Sequence, residues 1–107
     1  MTAERVATTA DLADETALRV EVGGVPVCLA RSQGKIFAVN DVCTHGQVSL
    51  SEGDVEDGFV ECWLHGSRFD LRTGQPTGLP ANRPVATYPV RIEGEDVFVD
   101  VSVEVET

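Results

Sequence analysis

Both histidines of this 107-residue chain, and two of its three cysteines, fall in two short stretches, "CTHG" at 43–46 and "CWLHG" at 62–66. The spacing is Cys43-x-His45, sixteen residues, then Cys62-x2-His65, with a glycine behind each histidine. Two thiolates and two imidazoles form a set of soft and borderline donors that suits few occupants. One is a single zinc ion in a tetrahedral Cys2His2 site. The other is a [2Fe–2S] cluster with two cysteines on one iron and two histidines on the other. Zinc fingers usually group like donors together, a cysteine pair followed by a histidine pair. Here each stretch supplies one donor of each kind, so each would span both metals of a dinuclear centre. The mixed spacing favours the cluster, and zinc stays open as the alternative.

Such donors need a scaffold that brings residue 43 beside residue 62. Short alternating segments separated by glycine turns run along the chain, the pattern of antiparallel strands. In "ALRVEV", Leu18, Val20 and Val22 point one way, and Arg19 and Glu21 the other. Gly23-Gly24 turns the chain into "VPVCLA", and "SQGK" turns it again into "IFAVN". Asp57-Gly58, between "DVE" and "FVEC", is a two-residue hairpin signal. "VATYPVRI" and "VFVDVSVEV" flank the turn "EGED", with Val97, Val99, Val101 and Val103 on one face of the last strand. No amphipathic helix emerges; "TADLADET" has the composition for one turn. The expectation is an all-β domain of about eight to ten strands, closed as an antiparallel sandwich or small barrel. "CTHG" follows one strand and "CWLHG" another. The hairpin between them carries the chain out and back, so the two loops meet at one tip.

The paired motif C-x-H-x16-C-x2-H resembles that of Rieske ferredoxins, in particular the small soluble ferredoxins of bacterial three-component aromatic ring-hydroxylating dioxygenases. Biphenyl, toluene, naphthalene and carbazole systems are of this type. The similarity spans nearly the whole chain, including "VCTHGQVSLSEGDVEDGFVECWLHGSRFDLRTGQP" and a later "GLPANRPVATYPV" that resembles the family's covering proline loop. It implies a single Rieske domain over 1–107, with a cluster-binding subdomain over about 42–82. It further implies one [2Fe–2S] cluster, with Cys43 and Cys62 on the inner iron and His45 and His65 on the outer. The outer iron receives the electron, and the two histidines mark the docking face and electron exit. Gly46 and Gly66 would let backbone approach the cluster, and Pro80 would lie in the loop above it. Trp63 would shield the cluster, form part of a partner surface, or simply pack within its loop. Respiratory-chain members carry a disulfide where this chain has Val48 and Leu64. They also place a serine and a tyrosine near the cluster, matched here by Ser67 and Phe69. One hydroxyl donor fewer implies a potential in the lower part of the Rieske span, roughly −150 to +300 mV. Histidine ligation also implies a potential that falls as pH rises above the oxidised-state imidazole pKa.

The bulk composition narrows the function. At 42% hydrophobic and 24% charged residues the chain reads as one ordinary globular domain. The formal charge of −10 disfavours nucleic acid and anionic membrane surfaces, and suits steering onto a basic partner. No apolar run nears the roughly 20 residues of a membrane span, and "MTAERVATTADLADET" lacks a signal-peptide core, so a cytoplasmic location is expected. An odd cysteine count in that compartment points to metal or redox use rather than disulfides, with Cys28 in "VPVCLA" as core packing. Arg68 and Arg72 read as solvated surface charge. The function expected is a one-electron carrier, not an enzyme. It would take electrons from an NAD(P)H-dependent flavoprotein ferredoxin reductase and dock transiently, as a monomer, on a terminal Rieske non-haem iron oxygenase. A general or cluster-assembly-associated Rieske ferredoxin, and a Cys2His2 zinc-stabilised interaction module, are the alternatives. An oxygenase's own Rieske portion is disfavoured, since no other histidine exists to hold a mononuclear iron.

Overall fold

The computed structural model describes residues 3–44, 48–64, 66–78 and 83–102. Ten strands form within them: β1 (Glu4–Thr8), β2 (Thr16–Val22), β3 (Val25–Ser32), β4 (Lys35–Asn40), β5 (Val55–Glu56), β6 (Phe59–Glu61), β7 (Arg68–Asp70), β8 (Thr87–Tyr88), β9 (Val90–Glu93) and β10 (Asp96–Val99). They make three antiparallel sheets, ordered β1-β10-β9, β2-β3-β4-β8 and β5-β6-β7. The expected all-β antiparallel architecture is the one observed. Residues 9–11 form one 3-10 turn, as their composition suggested.

The turns follow from backbone sterics. Asp57 and Gly58 take φ of 54° and 85°, the pair of left-handed residues that a type I′ hairpin requires. β5 and β6 pair across that turn, Glu56 opposite Phe59.

β2-β3-β4-β8 is the middle layer and is covered on both faces. Val27, Leu29 and Ala38 face one core with Leu12, Val22, Tyr88, Val97 and Val99. Cys28, Ala30 and Val39 face a second core with Leu50, Val55, Val60, Phe69 and Leu71. Burial on both faces explains why "VPVCLA" reads as a continuous apolar run while β2 alternates. Cys28 is fully buried mid-strand, which bears out its reading as a core residue.

Two segments depart from the sequence expectation. "VATYPVRI" is two strands rather than one: β8 pairs with β4, and β9 pairs with β10 in another sheet. Pro89 stands between them, and without an N–H it cannot extend a ladder. The last strand ends at Val99, because Asp100 turns back to accept the Ser102 N–H and hydroxyl. Val97 and Val99 are buried and Val101 half-buried, while Val103 lies outside the described residues. Strand β1, which the sequence reading passed over, pairs with β10 through a register shift between Arg5 and Ala7.

The β5-β6 hairpin is fastened to the middle sheet at its far turn. The Glu15 carboxylate accepts the Ser32 hydroxyl at 2.9 Å, the Gln33 N–H at 2.9 Å and the Asp57 N–H at 3.0 Å. The Ser32 hydroxyl oxygen in turn accepts the Gly58 N–H at 2.8 Å.

Candidate metal centre

Each motif cysteine opens a loop that closes in the same way. The Cys43 N–H donates to the Val48 carbonyl at 3.0 Å, and the Cys62 N–H donates to the Ser67 carbonyl at 2.6 Å. Each loop therefore encloses four residues, 44–47 and 63–66, and each of these sets contains one histidine of the motif. Cys43 follows the end of β4 by three residues, and Cys62 follows β6 directly. The first loop is braced by the Val42–Ser49 bridge and by the Leu50 N–H on the Asp41 carbonyl at 2.7 Å. In the second, the Gly66 N–H returns to the Cys62 carbonyl at 2.8 Å.

Both cysteines are buried in the same core, Cys43 at 2% exposure and Cys62 at 0%. Ser67, five residues after Cys62, is also buried, and Phe69 is fully buried in that core. Val48 packs partly buried against it. Val42, just before Cys43, and Trp63 and Leu64, just after Cys62, are large apolar side chains left 38%, 50% and 44% exposed. Trp63 is half exposed rather than buried over the core. Val48 and Leu64 stand where a loop-tying disulfide would need thiols.

A third segment is clasped to the first loop. The Thr44 hydroxyl donates to the Arg83 carbonyl at 2.8 Å, and the Arg83 guanidinium reaches the Thr44 carbonyl at 3.4 Å. On its other side the segment is held by the Thr77 N–H on the Arg68 carbonyl at 2.8 Å. Pro80, between these anchors, lies outside the described residues, as do His45, Gly46 and His65. What demands glycine at 66 is its φ of 78°, since a Cβ there would meet only the end of the Glu61 side chain, at 3.5 Å.

The other singled-out side chains are occupied within the fold. Arg68 stacks over the Phe59 ring at 4.8 Å, and Arg72 pairs with Asp70 at 3.3 Å. The Arg72 pairing holds the Asp70 carboxyl below its ordinary range against the opposing effect of burial. Burial, aided by the Asp41 charge, pushes the Cys28 thiol far above the ordinary thiol range. Cys28 therefore stays a protonated packing group.

The donor chemistry fits an iron–sulfur group. Two thiols from matched loops share one buried core, and in sequence those loops contain the two histidines of the chain. Thr44, Arg83 and Asp41 were not picked out from the sequence, because only long-range contacts give them a role.

The family model for the Rieske [2Fe–2S] domain matches residues 2–89. The ferredoxin component of biphenyl 2,3-dioxygenase from Rhodococcus jostii (strain RHA1) is 42% identical over 101 residues, 94% of each chain. Among solved structures, the ferredoxin of carbazole 1,9a-dioxygenase from Nocardioides aromaticivorans IC177 superposes with a TM-score of 0.86. It is 35% identical, over 92% of this chain and 97% of that one. A chain in a complex of reduced oxygenase and oxidized ferredoxin in carbazole 1,9a-dioxygenase matches with a TM-score of 0.85 and 34% identity, covering 91% of each. These likenesses displace the zinc alternative. A matched pair of cysteine loops, an all-β scaffold and full-length similarity to ferredoxin components lead to one conclusion: the chain belongs to the Rieske [2Fe–2S] domain family, as an electron-transfer ferredoxin rather than a catalyst.

Proposed function

We infer that Cys43 and Cys62 hold one iron of the cluster and His45 and His65 the other, in a single domain over 1–107 whose cluster-binding part is about 42–82. The carrier takes electrons from an NAD(P)H-dependent flavoprotein reductase. It delivers them to the terminal oxygenase of an aromatic-ring dioxygenase system in the cytoplasm, docking as a monomer. The carrying observation is the matched closure of the two cysteine loops around a shared buried core, with Val42, Trp63 and Leu64 exposed next to the cysteines along the chain. Among the described residues no helix is long and apolar enough to cross a membrane.

The chemistry supplied by a bound cluster is uptake and release of one electron. The protein's own part is positional. The buried cysteines keep water from the inner side, and the loop hydrogen bonds fix the sulfur donors before any partner arrives. Val42, Trp63 and Leu64 supply desolvated contact around the loops, and the formal charge of −10 draws in a basic partner from a distance. A carrier with two partners gains from a contact of this modest size, which releases as readily as it forms.

Electron paramagnetic resonance of the dithionite-reduced protein tests the ligand set. A mixed nitrogen and sulfur set gives a lower average g value than an all-cysteine cluster, and an all-cysteine spectrum would overturn the assignment. Phe69 brings no hydroxyl to the core, so a redox titration is expected to give a midpoint below about +150 mV, outside the upper third of the Rieske span. Trp63→Ala is expected to leave the visible spectrum and thermal midpoint unchanged. It should raise the oxygenase's KM for the ferredoxin about fivefold, ~1 kcal/mol for a contact aromatic. Steady-state turnover with varied ferredoxin concentration checks this.

A further inference from the structure

Asp41 is the only charged side chain buried among the described residues, at 1% exposure. One of its oxygens, Oδ1, accepts the Ser51 N–H at 2.8 Å. The other, Oδ2, makes no hydrogen bond and faces the Arg19 Nε of β2 at 3.3 Å, too poorly aligned to count as one. Its main chain is also engaged, the N–H on the Pro26 carbonyl at 3.0 Å and the carbonyl under the Leu50 N–H at 2.7 Å. A desolvated carboxylate lacking half its hydrogen bonds is costly to retain. It stands two residues before Cys43, within a chain reach of about 7 Å between Cα atoms.

The two ends of this ion pair differ in their access to water. The Arg19 side chain is 49% exposed and shares its guanidinium with Glu21 at 3.3 Å, so solvent and a second carboxylate damp its charge. Asp41 has no such screening. Its charge already reaches Cys28, where it adds to burial in raising the thiol, and Cys28 lies in the core that holds Cys43 and Cys62.

We propose that Asp41 is a positioning residue for the cluster. Standing before the Cys43 loop, it ties that side to Leu50 and Ser51 beyond the loop, and its buried negative charge opposes arrival of the electron and lowers the midpoint potential. Arg19 is the counterweight, offsetting part of that charge from the surface. The proposal rests on ligation through the Cys43 and Cys62 loops as stated above.

The test compares holoprotein midpoints for Asp41→Asn and Arg19→Gln. Asparagine keeps an oxygen for the Ser51 N–H, removes the charge, and sets an amide NH2 in place of Oδ2 beside Arg19. A unit charge acting over on the order of 10 Å at an effective dielectric of about 20 changes the reduction equilibrium about tenfold. Asp41→Asn should therefore raise the midpoint by about 59 mV, the one-electron equivalent of tenfold. Arg19→Gln should lower it by a smaller step, about threefold in the equilibrium constant given its solvent screening. Opposite shifts support the proposal; a general loosening of the loop would move both variants the same way. Unchanged midpoints, or shifts of one sign, overturn it. Should Asp41→Asn fail to retain a cluster, Arg19→Gln decides alone, by a lowered midpoint or none. The g values of each variant report ligation separately from the midpoint, so a fault in the ligand set is read apart from a fault in the tuning.

Discussion

Cys62→Ala should purify colourless, without iron or acid-labile sulfide, whereas Cys28→Ala should keep both in full. The comparison is sharp because the two positions are alike in packing. Both are 0% exposed, and both face the same core. Either change removes one buried sulfur, costing about 1 kcal/mol by lost transfer and packing. Stability alone would therefore not separate them. Their positions differ in kind: Cys28 is mid-strand between β2 and β4, while Cys62 opens a loop that contains His65. The Cys62 N–H bond to Ser67 belongs to the main chain and survives the substitution. Iron and sulfide assays with visible spectra check the prediction. A Cys62→Ala protein with wild-type iron content would remove the basis of the ligand assignment.

Gly53→Ala should cost about 2–3 kcal/mol by forced displacement of packed backbone, a fall in Tm of about 10–20 °C for a domain of this size. The reason is space, not backbone preference. Gly53 has φ of −93° and ψ of −177°, an extended conformation open to any residue. A Cβ there would stand 1.8 Å from the Glu61 carbonyl oxygen and 3.0 Å from its carbon. Glu61 is fixed in place by its N–H bond to the Asp54 carbonyl at 2.8 Å, and Cys62 follows it directly. The displaced strand end is therefore the one that carries a proposed ligand, and iron retention should fall along with stability. Gly78→Ala is the control. A Cβ at 78 meets nothing within 4 Å, so its effect should stay within about 0.5 kcal/mol. Thermal melts of the three proteins settle the matter, and coincident melts of Gly53→Ala and wild type would refute the close approach.

Much of this was readable from residue types alone. Gly23-Gly24 and Asp57-Gly58 announced their turns because left-handed backbone is a local requirement. The cysteine and histidine spacing announced the metal chemistry because ligand sets are discrete. The division of "VATYPVRI" was less visible: Pro89 only forbids a hydrogen bond, and which sheet each half joins depends on partners far along the chain. β1 was missed for a similar reason. Its five residues carry too little pattern to stand out, and they acquire a register only against β10. The clasp of Thr44 on Arg83 spans 39 residues, and the Asp41 burial depends on segments from β2 to Ser51. Neither leaves a periodic trace.

The anchoring of Asp57 and Gly58 by Glu15 and Ser32 has a dynamic consequence. A hairpin anchored at its turn cannot swing there like a lever, so its opening must draw on the melting of the sheet that anchors it. Loosening of that turn would therefore be coupled to loosening of β3, where Ser32 sits.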